Sequence, residues 1–185
     1  MNTKYLADRG DSQLVLIDVQ ERLCGAMTEP VLATTLRNGS ILLQAARLLD
    51  VPVLYTEQYP KGLGSTLPVL TQWLDPGRRV EKTCFSCCKV PAFRELLDSR
   101  RGQIMLAGME AHICILQTAL QLHEMGHQVF VIEDAVISRN PSHHENAMAR
   151  LRQHGVTVTN TESLLFEWLE AAEGDAFREI ARLIK

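Results

Sequence analysis

The sequence predicts an α/β protein, a three-layer α/β/α sandwich built on a mostly parallel, Rossmann-like sheet of about six strands. Short apolar runs alternate with amphipathic segments along the whole chain. The runs are apolar at consecutive positions, so the strands they form are covered on both faces, as in parallel sheets with helices on each side. There is no internal repeat, low-complexity tract or interdomain linker. With 185 residues and 46% hydrophobic content, residues 1–185 read as a single domain with one substantial core.

Residues 13–19 (Gln-Leu-Val-Leu-Ile-Asp-Val) form the first strand. A helix follows over 31–49, then a second strand over 51–56. The stretch 57–68, with its glycines and prolines, reads as a loop. A short third strand falls near 79–81, and Pro91 opens a helix over 91–99. Strand 103–107, helix 111–125, strand 128–132, helix 143–154 and strand 155–159 continue the alternation, and a last helical stretch opens at Thr161.

The net charge of -3 comes from 22 acids and 19 bases without a basic cluster, so a nucleic-acid partner is not expected. No segment resembles a signal peptide or a membrane span, which predicts a soluble, cytoplasmic protein without a membrane partner. The five cysteines, at 24, 84, 87, 88 and 114, are an odd count and read as reduced thiols. Cys84 and Cys87 form a CxxC, but no second ligand pair follows, so loop packing is favoured over zinc or thioredoxin-like chemistry.

In such sheets the working groups collect at the carboxyl ends of strands, near the switch in strand order. Three reactive residue types fall at three such ends. Asp18 interrupts the first apolar run, where an unpaired buried carboxylate would cost several kcal/mol and so needs a partner. Lys82 follows the third strand and supplies one. Cys114 follows the fourth strand at the start of the 111–125 helix, where unpaired N–H groups lower a thiol pKa and offer donors to an oxyanion. Ile113, Leu116 and Leu120 form one apolar stripe of that helix, and Ile115, Ala119 and Leu122 another. Cys114 lies on neither, sharing a polar face with Gln117, Thr118 and Gln121.

Together, Asp18 can take the thiol proton, Lys82 can hold Asp18 charged, and Cys114 can attack a polarised carbon. Each residue also has an ordinary alternative: Cys114 as a small buried side chain, Asp18 as an N-cap before Glu21, Lys82 as a solvated loop charge.

The segments Leu16-Ile-Asp-Val-Gln20, Glu81-Lys-Thr-Cys-Phe85 and Gly108-Met-Glu-Ala-His-Ile-Cys114 resemble the three signature stretches of the isochorismatase-like cysteine hydrolase superfamily. That superfamily includes nicotinamidases, N-carbamoyl amidohydrolases and isochorismatases. The stretch 57–64, with Lys82, Thr83, Phe85 and Ser86, further resembles its isochorismatase domain-containing, YcaC-like subgroup. The resemblance spans nearly the whole chain. It implies a parallel α/β fold and an Asp18-Lys82-Cys114 triad. It also implies a cis Met109–Glu110 peptide, an oxyanion hole from the N–H groups of Glu110 and Cys114, and a homo-oligomer.

Two departures from the superfamily's patterns shape the expected chemistry. Nicotinamidases hold a metal through an Asp-x-His pattern after the second strand, whereas residues 56–64 contain no histidine, so neither metal nor cofactor is expected. His123 and His127 have a ligand-like spacing, but Gly126 is expected to end the helix between them. Hydrolysis of a vinyl ether, as in isochorismatases, does not require a thiol. Cys114 instead favours acyl chemistry on a small amide or ureido substrate, through a thioester.

Leu23, Tyr59, Phe85 and His112 are candidate substrate contacts, and each has packing as its alternative. The acids of 133–134 and Arg139 follow the fifth strand. There, substrate contact competes with a structural reading in which Asp134 satisfies loop N–H groups and Ser142 caps the next helix. The apolar face of 163–169, with Phe177 and Ile180, covers either the sheet or a second subunit. Three other functions stay open: isochorismatase-type vinyl ether hydrolysis, a catalytically weak or non-catalytic oligomeric binding or scaffold protein, and a redox-sensing thiol protein using Cys84, Cys87 and Cys88 as partners.

Overall fold

In the computed structural model, which describes residues 5–185, β1 (Ser12–Ile17) is buried along its whole length. Two short helices and one long one follow in stages: α1 (Glu21–Cys24), α2 (Val31–Leu48), then β2 (Val53–Gln58) and α3 (Pro60–Leu63). Next come α4 (Pro68–Thr71), β3 (Arg79–Lys82), α5 (Pro91–Leu96) and β4 (Gln103–Met109). A π-helical turn over Ala111–Ile115 leads into α6 (Leu116–Glu124), which is followed by β5 (Gln128–Ile137) and α7 (Pro141–Gln153). The chain closes with β6 (Thr157–Thr159), α8 (Thr161–Leu169) and α9 (Gly174–Leu183).

The strands form one six-stranded sheet in the order β3-β2-β1-β4-β5-β6, every neighbouring pair parallel. The chain winds outward from β1 to β3, returns to β4, and winds out the other way. The switch point therefore lies between β1 and β4, where ligands bind in open α/β sheets. The β1–β4 register pairs Ile17 with Gly108, which brings Asp18 and Met109 to the same carboxyl edge. Gly108, at φ +119°, makes that close approach possible, since a Cβ there would lie 2.0 Å from the Ile17 carbonyl oxygen.

Alternate residues of each central strand enter different cores. Leu14, Leu16, Met105, Ala107, Phe130 and Ile132 pack under α2, α8 and α9, with Trp168 fully buried and its Nε1 donating to Ser12 Oγ at 2.9 Å. Val15, Ile17, Ile104, Leu106, Val129 and Val131 pack under α5, α6 and α7. This two-sided burial is what produces uninterrupted apolar runs.

Several boundaries differ from the sequence reading. β5 continues to Ile137, five residues past 132, with a register shift against β4 between Leu106 and Gly108. The helix expected over 111–125 opens instead as the π-helical turn. α7 starts at Pro141, and its cap is Asn140, whose Oδ1 accepts from the Ser142 N–H at 3.0 Å; Ser142 does not cap it. The last helical stretch is two helices, and its apolar face turns inward through Leu164, Leu165, Trp168 and Ile180. Among the described residues no helix is long and apolar enough to cross a membrane.

Candidate active site

Asp18 leaves β1 at φ +54° and turns its carboxylate into the sheet edge, fully buried. The Thr56 hydroxyl donates to Oδ1 at 2.7 Å, and Lys82 Nζ donates to Oδ2 at 2.6 Å. Both side chains of the Lys82–Asp18 pair are closed to solvent. Lys82 Nζ also donates to Gln58 Oε1 at 2.7 Å, to the carbonyls of Phe85 at 3.3 Å and Cys84 at 3.4 Å, and to Cys114 Sγ at 3.5 Å. The ammonium is thus ringed by acceptors, which is what an interior charge requires.

The carboxyl ends of β1, β3 and β4 therefore bring Asp18, Lys82 and Cys114 together, and Lys82 touches both of the others. Gln20 ties the loops around them. Its Oε1 accepts from the Gln58 N–H at 2.7 Å, and its Nε2 donates to the carbonyls of Gly64 at 2.6 Å and Gln58 at 3.1 Å. The sequence reading missed Thr56 and Gln58. Both sit on β2, between the two strands that carry the charges.

The electrostatics reverse one expectation. Burial, followed by the negative charge of Asp18, pushes the Cys114 thiol up to about 12, against the lowering effect of Lys82. The helix start does not lower the thiol pKa, because Cys114 is 6% exposed and faces a carboxylate. Burial pulls the Lys82 ammonium down, but Asp18 first, then Cys87 and Cys114, hold it above its ordinary value. Cys87, fully buried beside this pair, is pushed up to about 12 by burial, with Lys82 opposing. All five cysteines are free.

Glu110, the residue after β4, is 4% exposed, and Arg139 grips its carboxylate. The Met109–Glu110 peptide is cis. His112 Nδ1 lies 2.9 Å from Ser138 Oγ, and its ring centroid is 4.7 Å from that of His143. Burial lowers the His112 pKa, with Glu110 opposing.

The remaining candidate contacts are less tightly grouped. Tyr59 and Phe85 have more than half of their surface open, while Leu23 packs on the α2 side of the core. Tyr59, Lys61, Lys82, Cys84 and Lys89 line an open cavity of about 520 Å³. A second cavity of about 420 Å³, lined by Val31, Thr35, Val136, Ile137, Pro141 and His144 among others, includes none of the three charged or thiol residues. His123 and His127 lie on either side of the helix-ending Gly126. Among the described residues no group of three or more His, Cys, Asp or Glu is placed to hold a metal ion.

Residues 12–163 match the Isochorismatase domain. The chain belongs to the isochorismatase-like hydrolase family. Human isochorismatase domain-containing protein 2 is 42% identical over 181 residues, covering 95% of this chain and 84% of that protein. Among solved structures, MAR1 ribonuclease from Caenorhabditis elegans superposes with a TM-score of 0.90 at 33% identity, covering 97% of this chain and 92% of that one. YcaC from Escherichia coli, an octameric hydrolase of unknown specificity, superposes with a TM-score of 0.91 at 21% identity over 100% of this chain and 91% of its own. The isochorismatase-like fold is thus shared across proteins with differently described activities, and specificity has to be argued from the site itself.

Proposed function

We propose that this protein is a cysteine hydrolase that cleaves a small amide or ureido substrate through a Cys114 thioester. The observation that carries the reading is the buried Lys82 ammonium, in contact with Asp18 Oδ2 at 2.6 Å and Cys114 Sγ at 3.5 Å. A thiol pushed up to about 12 rests protonated, so it needs a base at the moment of attack. Asp18 is that base. As the sulfur–carbon bond forms, the thiol proton passes to Asp18 and the carbonyl electrons move onto oxygen. The N–H groups of Glu110 and Cys114 hold the oxyanion. Collapse breaks the C–N bond, and Asp18 returns its proton to the leaving ammonia or amine. Water, deprotonated by Asp18, then cleaves the thioester and restores the thiol. Lys82 stays charged throughout and holds the Asp18 carboxylate beside the sulfur.

Tyr59, Phe85, His112 and Leu23 border the substrate in this reading, and neither metal nor cofactor takes part. We extend it to a cytoplasmic homo-oligomer with no nucleic-acid or membrane partner; a monomeric mass by light scattering at micromolar concentration would remove the assembly. The test of the chemistry is a panel of primary amides, carbamoyl amines and ureides assayed for ammonia release. Activity should appear with at least one class and vanish in Cys114→Ala and Asp18→Asn. The name of the C. elegans neighbour motivates a parallel arm with RNA. RNA cleavage abolished by Cys114→Ala, with no amide turned over, would replace the present reading.

A further inference from the structure

Three consecutive residues at the exit of β5 hold the turn that carries Cys114. Ile137 pairs with Met109 at the end of the β4–β5 ladder. Ser138 Oγ meets His112 Nδ1 at 2.9 Å. The Arg139 backbone N–H donates to Glu110 Oε2 at 2.9 Å, its Nε donates to both carboxylate oxygens at 3.1 Å, and its Nη2 donates to Oε1 at 2.6 Å. Both oxygens of a nearly buried carboxylate are therefore fixed to one guanidinium and one backbone amide, a bidentate arrangement with little rotational freedom. The peptide unit between Met109 and Glu110 is held on one side by the ladder and on the other by this grip.

From this geometry we infer that Arg139 is a positioning residue for the oxyanion hole: by anchoring the Glu110 carboxylate it aims the Glu110 N–H at the oxygen of the reacting carbonyl. The inference rests on the thiol-acylation reading above. A second consequence follows from charge. The Glu110 carboxylate belongs to the same residue as the N–H that would face a developing negative oxygen, and the guanidinium neutralises it. Arg139 itself is half open to solvent and acts through Glu110.

Two electrophiles separate aiming from mere support. p-Nitrophenyl acetate acylates the Cys114 thiol through a tetrahedral oxyanion: the S–C bond forms, the thiol proton goes to Asp18, and p-nitrophenolate leaves. Iodoacetamide alkylates the same sulfur by displacing iodide, with no oxyanion formed. Loss of one oxyanion donor costs on the order of 10² to 10³ in rate. Arg139→Met should therefore slow Cys114 acylation at least tenfold and leave its alkylation within threefold of wild type. Arg139→Lys, which keeps the charge but not the fork, should fall between.

The two rates are read on the intact protein by p-nitrophenolate burst and by peptide mass spectrometry at Cys114. Parallel losses in both reactions, in either variant, would reduce Arg139 to a structural residue and overturn the inference. Unchanged acylation in both variants would also overturn it. Wild-type alkylation without acylation would remove the oxyanion hole and the inference with it. A wild-type acylation burst that persists in Cys114→Ala would instead sink the nucleophile reading beneath. If Arg139→Met does not fold, Arg139→Lys alone decides between these outcomes.

Discussion

Replacing Lys82 by Met removes the charge on which the site is organised. Met spans nearly the same volume, so packing is kept while Asp18 is left as a fully buried carboxylate with one hydroxyl donor, Thr56. Breaking a buried pair by removing one partner costs about 3–5 kcal/mol, because the survivor is uncompensated. For a chain of this size about 1 kcal/mol corresponds to roughly 2–4 °C, so the melting temperature should fall by about 6–20 °C.

Urea denaturation at pH 7 measures the loss directly, and the double variant Asp18→Asn/Lys82→Met is its control. With both charges gone, most of the loss should return, giving a coupling of at least about 2 kcal/mol. The pH dependence carries a sign as well. The folded-state pKa of Lys82 is raised, so the stability it contributes is present below about 10.5 and is lost as pH rises through the folded value. Wild type should weaken at high pH with a slope that Lys82→Met reduces. A single variant that loses less than about 1 kcal/mol, or a double variant no more stable than the single, would refute the buried ion pair.

Three further outcomes follow from particular contacts. Cys114 alkylation by iodoacetamide should keep rising with pH toward about 12, with no plateau near neutrality; a midpoint below 8 would overturn the assignment of Asp18 as base. Gly108→Ala places a Cβ 2.0 Å from the Ile17 carbonyl oxygen at φ +119°, so the variant should lose more than about 3 kcal/mol or fail to accumulate as folded protein, read by urea titration of the soluble fraction. Trp168→Ala empties a fully buried site and strips Ser12 Oγ of its donor, and should cost about 3–5 kcal/mol in the same titration.

The layers of the fold were legible because each central strand is covered twice. Leu14 and Leu16 face α2 while Val15 and Ile17 face α6, so a run of four apolar residues admits few other readings. What broke that logic was polarity serving structure. Glu133 and Asp134 looked like the end of a strand, yet β5 continues through them. The Asp134 carboxylate accepts from the Thr161 N–H and hydroxyl, each at 2.8 Å, which opens α8 from the far side. Local propensity could not show this partner 27 residues away. Likewise Asn140 and Ser142 are both good caps, and the choice between them depends on where Pro141 begins the helix.

Asp18, Lys82 and Cys114 were findable because each is chemically out of place in its segment, but their energetics were not. A thiol at the start of a helix is expected to ionise easily when the helix end is its main neighbour. Here what matters is burial of the thiol and a neighbouring carboxylate, and both act in the other direction. The same closure that makes Asp18 depend on Lys82 keeps the thiol neutral. In a site built this way the thiol rests protonated. In the proposed mechanism the site generates its nucleophile when a carbonyl is present to receive the sulfur and donors are aimed to receive the charge. That places the burden of rate on the geometry around Glu110 and Cys114, and makes Arg139, an exposed residue far from them in sequence, the position where a surface substitution should reach the chemistry.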